Sequence, residues 1–282
     1  MPVVSIVIPT YNRAELLKRS VQSILDQTYQ DFEVIVVDDG STDNTEEVVK
    51  CFADNRIQYI KHDRNRGASA ARNTGIRAAS ARYIAFQDSD DEWLPQKLEK
   101  QVGMLGTSST EVGVVYSGFW KVRGRTKLYI PIPSVPLKEG DIHEVLLRRN
   151  FVGIPVTIIR RECFEKAGVF DEKLSMYEDW ELWIRISKHY EFRYIAEPLV
   201  ITHCSAGGVN TQESLVLAKS IEYIVQKHLG EYSRRLLATH YFEIGALLCL
   251  NKKLAEGISY LVKAVVLYPL IPILLPAERL GR

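Results

Sequence analysis

Between Tyr83 and Trp93 the sequence YIAFQDSDDEW runs from a short apolar stretch into three carboxylates, Asp88, Asp90 and Asp91. Carboxylates this close repel one another, so the turn is costly unless positive charge sits in it. A divalent cation is the natural guest. Mg2+ or Mn2+ accepts carboxylate oxygens and keeps positions open for water or phosphate, and so could tie a nucleotide diphosphate to the end of a strand. The plainer alternative is an acidic turn that opens the next helix, because Leu94-Pro95 follows where a cap and a first-turn proline belong. A second run, HDRNRGASAARNTG from His62 to Gly75, brings Arg64, Arg66 and Arg72 together with Gly67 near a helix start. Helix N-termini and guanidinium forks suit phosphate oxygens. Arg64 reads better as part of a solvated loop, whereas Arg72 falls one turn inside a small-residue helix. Neither GxxxxGK[ST] nor GxGxxG occurs, which leaves kinase and nicotinamide chemistry without support.

The elements that must position these residues alternate along the first hundred positions. Strands are expected at Val3 to Ile8, Phe32 to Val37, Ile57 to Lys61 and Tyr83 to Gln87, from their apolar, β-branched composition. Helices are expected at Ala14 to Asp26, with Leu16, Leu17, Val21, Ile24 and Leu25 on one face, at Asp43 to Ala53, and at Gly67 to Ala79. This alternation calls for a parallel sheet covered on both faces, with a ligand crevice at the carboxyl ends of its strands. Pro9-Thr10-Tyr11-Asn12, Asp38-Asp39-Gly40-Ser41 and Asp88-Ser89-Asp90 would all open on that edge. Tyr11 is suited either to stacking on a base or to covering the sheet edge. Asp39 either accepts hydrogen bonds from the N–H groups of a pyrimidine ring or serves ordinary Asp-Gly-Ser turn chemistry.

The chain has 282 residues, enough for about two domains, and 36 Lys plus Arg against 35 Asp plus Glu, so no global field points to nucleic acid. Four widely spaced cysteines, Cys51, Cys163, Cys204 and Cys249, form no CxxC pair, which argues against a zinc site or a disulfide scaffold and fits a reducing cytosol. MPVVSIVIPTYNRAELL lacks a basic leader followed by an apolar run and a cleavage site, so no signal peptide is expected. Val265 to Leu275 is strongly apolar but too short to span a bilayer, and Pro269 and Pro272 interrupt it. It reads either as a packed tail or as a shallow contact with a membrane surface or a partner.

SIVIPTYNRAELLKRSVQSILDQTYQDFEVIVVDDGSTDNT, then NRGASAARNTG, then YIAFQDSDDEWLP, resembles in order and spacing the nucleotide-binding half of a family-2 glycosyltransferase. The resemblance implies an α/β fold of GT-A (Rossmann-like) type, a mostly parallel sheet flanked by helices, with residues 1–120 as the nucleotide-sugar half and 121–210 as the acceptor half. It implies that Pro9, Thr10, Tyr11 and Asp39 bind the nucleoside, that Gly67 and Arg72 serve the diphosphate, and that Asp88 and Asp90 form a DxD pair meeting Mn or Mg. Asp90 is expected as the direct ligand. Met176 to Trp183, MYEDWELW, resembles the family's ED motif, which opens a helix at the acceptor site. A sugar hydroxyl is a poor nucleophile, so a carboxylate that removes its proton during attack is a sensible device. Asp179 is the expected base. A cation neutralising the leaving diphosphate removes the need for a protein acid, and one displacement by one base implies inversion. The alternative for Glu178-Asp179 is an acidic first turn favoured by the helix dipole. His203 lies where some members place a histidine near the metal, and neutral imidazole would serve as a third ligand.

The QxxRW motif of processive synthases is absent, so single-sugar transfer by a cytoplasmic hexosyltransferase, peripheral on the inner face of the membrane, is expected. The donor would be UDP- or dTDP-linked rather than GDP-linked, and the acceptor a glycan or a lipid-linked sugar in cell-surface polysaccharide synthesis. Residues 211–282 are expected to form a helical extension. There Tyr241, Ile244, Gly245, Leu248, Gly257, Leu261, Ala264 and Pro269 match the offsets of one tetratricopeptide-type hairpin, a surface for a protein partner or a homodimer. Two rival classes stand beside this reading. A nucleotidyltransferase would want a Gly-rich basic loop after the first strand, which PTYNRAELL is not. A catalytically silent nucleotide-sugar-binding or scaffold protein would act through the helical tail.

Overall fold

The computed structural model describes residues 1–131, 135, 138–203 and 211–271. Cys204 and the part of the apolar tail beyond Ile271 lie outside the described residues. The first half alternates as expected: β1 (Val4–Thr10), α1 (Ala14–Leu25), β2 (Phe32–Asp38), α2 (Thr45–Lys50), β3 (Ile57–Lys61), α3 (Ala68–Ala78) and β4 (Tyr83–Phe86). There follow β5 (Glu92–Trp93), α4 (Lys97–Thr107), β6 (Val112–Arg123), β7 (Thr126–Ile130), α5 (His143–Arg148), β8 (Thr157–Arg160), α6 (Arg161–Ala167), α7 (Glu178–Ile186), β9 (Glu191–His203), α8 (Thr211–Lys227), α9 (Arg234–Leu250) and α10 (Leu254–Leu267).

Among the described residues the nine strands form one sheet in the order β3-β2-β1-β4-β8-β6-β9-β5, with β7 pairing β6. The four strands from β3 to β4 are parallel, as strand–helix alternation requires. Beyond β4 the sheet is mixed, because β8 runs antiparallel to both β4 and β6. Val4, Ile6, Val7 and Ile8 of β1 are fully buried, the continuous apolar signature of a strand covered on both faces. One of those covers is α3, where Gly75 lets the helix approach so closely that an added Cβ would lie 2.2 Å from Val7 Cγ1. Helix α1 buries Ala14, Leu17, Ser20, Val21 and Ile24. Leu16, expected on that face, is instead 41% exposed, since a residue next to Leu17 in sequence points about 100° away around the helix.

The acidic run after β4 does not open a helix. Glu92 and Trp93 pair with Ile201 and Val200 of β9, and α4 begins only at Lys97, so Asp88, Asp90 and Asp91 sit in a connection between strands rather than in a helical first turn.

The chain divides into two units, one comprising Met1–Lys173 with Glu178–Ala206, the other Leu174–Tyr177 with Gly207–Arg282. In the second, α9 and α10 form a helical hairpin joined by three residues. They approach closely at Gly245 and Gly257, where a Cβ on either would lie within 3 Å of the other's carbonyl oxygen. Ala238, Ala264 and Ile271 form the hairpin's buried cluster. No helix among the described residues is long and apolar enough to cross a membrane.

Candidate active site

The chain leaves β1 towards β2 on one side, while β4 joins β1 on the other, so the connections diverge at the carboxyl ends of β1 and β4. A crevice is expected at such a switch point. A cleft of about 420 Å³ opens there, lined by Pro9 and Thr10 at the end of β1 and Tyr11 just past it, Asp39 after β2, Gly67 and Arg72 at the start of α3, and Asp88 and Asp90 after β4. Eight residues singled out in the sequence therefore share one cavity. Arg13, Asn65, Ala68, Ala71 and Ser89 complete its walls.

Asp39 is nearly buried and most of its carboxylate is already engaged. It accepts from the Arg66 N–H at 2.9 and 3.0 Å and the Gly67 N–H at 2.7 Å, and lies 2.7 Å from His62 Nδ1. A carboxylate has about four acceptor positions, so little capacity remains for a base. The visible work of Asp39 is to hold the turn that starts α3, where Gly67 adopts φ +92°, a conformation L side chains resist. Thr10 is 3% exposed and its Oγ1 has no partner within the protein, which leaves that hydroxyl available at the cleft wall.

Arg72 joins the two halves of the site. Its Nη2 donates to Asp88 Oδ1 at 2.8 Å and its Nη1 to Glu178 Oε1 at 2.7 Å, with the side chain only 7% exposed. Burial opposes a guanidinium charge, but Asp88 and Glu178 outweigh burial and keep Arg72 firmly protonated. Its buried Nε has no protein partner, a donor still unspent beside the cleft. Arg72→Met is expected to destabilise the fold by about 3 kcal/mol, the low end for breaking a buried ion pair, because Asp88 is 30% exposed and can regain some water. Urea unfolding checks this, and Glu178→Gln in the same background should recover part of the loss.

Asp90 faces Arg13, whose Nη1 lies 2.8 Å from Oδ2, and Arg19 Nη2 donates to the Asp90 carbonyl at 2.6 Å. Asp91 is pushed up to about 8 by burial and by the charges of Asp88 and Asp90, and its Oδ1 accepts the His203 N–H at 3.0 Å. Burial does most of this and the charges of Asp88 and Asp90 add to it, so negative charge is crowded in this connection, a condition a divalent cation relieves. Oxygen donors from Asp88 and Asp90 on an open cleft fit Mg2+ or Mn2+, which take one or two carboxylates and complete their shell with phosphate and water. The third donor expected from the sequence is engaged elsewhere: His203 Nε2 lies 2.6 Å from Glu92 Oε1. Among the described residues no group of three His, Cys, Asp or Glu side chains gathers around one point.

Glu178 and Asp179 open α7. Asp179 Oδ1 accepts from Asn150 Nδ2 at 3.0 Å and from the Trp180 N–H at 2.7 Å. Burial, and then the Glu178 charge, raise the Asp179 carboxyl to about 7, the range in which a base can both hold and release a proton. Trp180 and Trp183 are core rather than pocket wall. Both are buried, and their indole N–H groups donate to the carbonyls of Leu146 and Val152, fixing the segment that carries Asn150. Asp179 does not line the cleft itself; its neighbour Glu178 is fixed to it through Arg72. Arg13 and Arg19 are site residues beyond those expected from the sequence, although Arg13 directly follows the PTYN turn.

Residues 5–168, more than half of the chain, match the family described as Glycosyl transferase family 2. The chain is similar to the Escherichia coli UDP-Glc:alpha-D-GlcNAc-diphosphoundecaprenol beta-1,3-glucosyltransferase WfgD, 46% identical over 185 residues, 66% of this chain and 70% of that protein. Its fold is that of Staphylococcus aureus TarS 1-349 in complex with UDP-GlcNAc, with TM-score 0.63 and 16% identity over 96% of this chain and 92% of that one. The mannosyltransferase PcManGT from Pyrobaculum calidifontis, in complex with GDP-Man and Mn2+, gives TM-score 0.61 and 22% identity over 94% and 75%. Those two enzymes carry the mixed, helix-flanked sheet of GT-A glycosyltransferases. The chain spans 31% or less of the length of several uncharacterized Rickettsia glycosyltransferases that it matches at 34 to 35% identity.

Proposed function

The chain belongs to glycosyl transferase family 2, and on that premise we propose that it moves one sugar from a nucleotide-diphosphate donor to a hydroxyl of a glycan or lipid-linked acceptor, with inversion at the anomeric carbon. The observation that carries this reading is the Arg72 fork, which ties the acidic connection after β4 to the acidic start of α7. Donor chemistry and acceptor chemistry need such a meeting point. Thr10 and Tyr11 receive the nucleoside, Asp39 serves it by holding the turn into α3 that borders the cleft, Pro9 shapes the wall beside it, and Gly67 with Arg72 serves the phosphates. Asp90, with Asp88, would hold Mn2+ or Mg2+, which would supply positive charge against the negative charge building on the departing diphosphate. Asp179 takes the proton of the acceptor hydroxyl as it attacks, while Asn150 keeps one of its oxygens oriented.

We assign the donor as UDP-linked ahead of dTDP-linked, and the acceptor as a sugar on a lipid diphosphate, with support from the donor and acceptor named for the similar WfgD. That acceptor class would put the reaction in cell-surface polysaccharide synthesis at the cytoplasmic face of a membrane. The cysteines among the described residues, Cys51, Cys163 and Cys249, are free thiols, in keeping with a reducing compartment. Donor hydrolysis over a panel of UDP-, dTDP- and GDP-sugars with Mn2+ tests the reading: a UDP-hexose should be cleaved fastest. Cleavage of none, with nucleotide still bound, would favour the silent binding protein.

A further inference from the structure

Helix α10 has three faces with different partners. Gly257 and Ala264 are buried, Gly257 against α9. Glu256, Ser259 and Tyr260 border a cavity with Ala218, Lys219 and Glu222 of α8, and the Tyr260 hydroxyl donates to Glu222. The third face is a continuous aliphatic stripe, Leu254, Ile258, Val262, Val265 and Val266, carried on by Leu270, with each side chain 40 to 76% exposed. Positions 254, 258, 262, 265 and 266 repeat at helical spacing, so they form one surface rather than scattered apolar residues.

We propose that this stripe lies on an anionic lipid surface, with α10 in the plane of the interface. No acidic residue interrupts it; Lys252 at its start and Lys263 at its border are exposed, as is Lys253, whose ammonium pairs with Glu256 at 3.4 Å on the helix's other side. A cationic rim around an aliphatic stripe is the pattern that combines hydrocarbon burial with attraction to anionic headgroups. A second copy of the chain fits less well. A two-fold pair through this face would set two lysine-rimmed surfaces against each other with no carboxylate in either stripe to answer them. The stripe also lacks the Trp, Tyr and Arg anchors on which protein interfaces concentrate their affinity. The inference is independent of the transfer reaction and needs no turnover to test.

The full chain is sedimented with vesicles of phosphatidylcholine alone or of phosphatidylcholine with phosphatidylglycerol. The expected partition onto the anionic vesicles is at least tenfold above that onto neutral ones and falls as salt is raised. Val262→Glu with Val266→Glu, both on exposed positions, should lower it at least tenfold while the melting temperature stays unchanged. Equal partition onto the two vesicle types, or a variant that binds as the parent does, would overturn the proposal. So would a parent that ignores vesicles yet forms a dimer in analytical ultracentrifugation that the same pair of substitutions dissolves.

Discussion

Asp179→Asn is expected to lower kcat by roughly a hundred- to ten-thousandfold, the span that general-base catalysis contributes, while leaving nucleotide binding intact. Asn keeps the shape and can still face Asn150 and the Trp180 N–H, but it has no lone pair basic enough to take a proton. The pH profile makes the assignment sharper. A base works deprotonated, and the Asp179 carboxyl is raised to about 7 by burial and by Glu178, so kcat/KM of the parent should rise through pH 7 and level off above it. The variant should lose that limb. Stability runs the other way. A carboxyl raised on folding contributes stability that is complete below its unfolded value near 4 and is lost as pH rises through the folded one. At pH 8 the Asn variant should therefore be no less stable than the parent, which separates lost turnover from lost structure in a urea titration. Parent-level transfer by Asp179→Asn would remove Asp179 as the base.

The second large effect is expected at Asp90. Asp90→Ala should weaken Mn2+-dependent binding of UDP by at least roughly a hundredfold, beyond the ten- to hundredfold typical of a residue that only supports a ligand. Arg13 would then be released from its 2.8 Å contact with Asp90 and remain in the cleft wall as a free cation. Binding of UDP without metal is thus expected to persist, and to strengthen somewhat. Calorimetry of the variant with and without Mn2+ reads both quantities at once. Equal loss in the two conditions would mean that Asp90 shapes the cleft rather than holding a cation.

The first half of the fold was legible because each of its elements announces itself locally. The buried strands β1, β2 and β4 are short apolar runs, and the turns between them carry the residues that ligands need. The second half was not, because its strands are defined by partners far away in sequence. Strand β5 is two residues long and exists only through β9, and β6 pairs with β9 through shifts of register that no local pattern marks. The same division holds in the site. Pro9, Thr10, Tyr11, Asp88 and Asp90 end strands or lie within a few residues of their ends, so topology alone brings them to one edge. The inward engagement of Asp39 with the α3 turn, the capture of His203 by Glu92 and the bridging of Asp88 to Glu178 by Arg72 depend on side-chain pairings across the fold. Charge and spacing made those residues candidates; only the packed structure tells which of their lone pairs and protons are already taken.

On the proposed function, the connection after β4 and the start of α7 serve one nucleotide-diphosphate between them. Crystals grown with UDP and Mn2+, measured for anomalous scattering from manganese, test it most directly. A manganese peak is expected on the Asp90 carboxylate, with the diphosphate beside Arg72 and the base near Thr10 and Tyr11. A nucleotide bound away from this cleft, or manganese bound at a place that Asp88 and Asp90 do not touch, would contradict it.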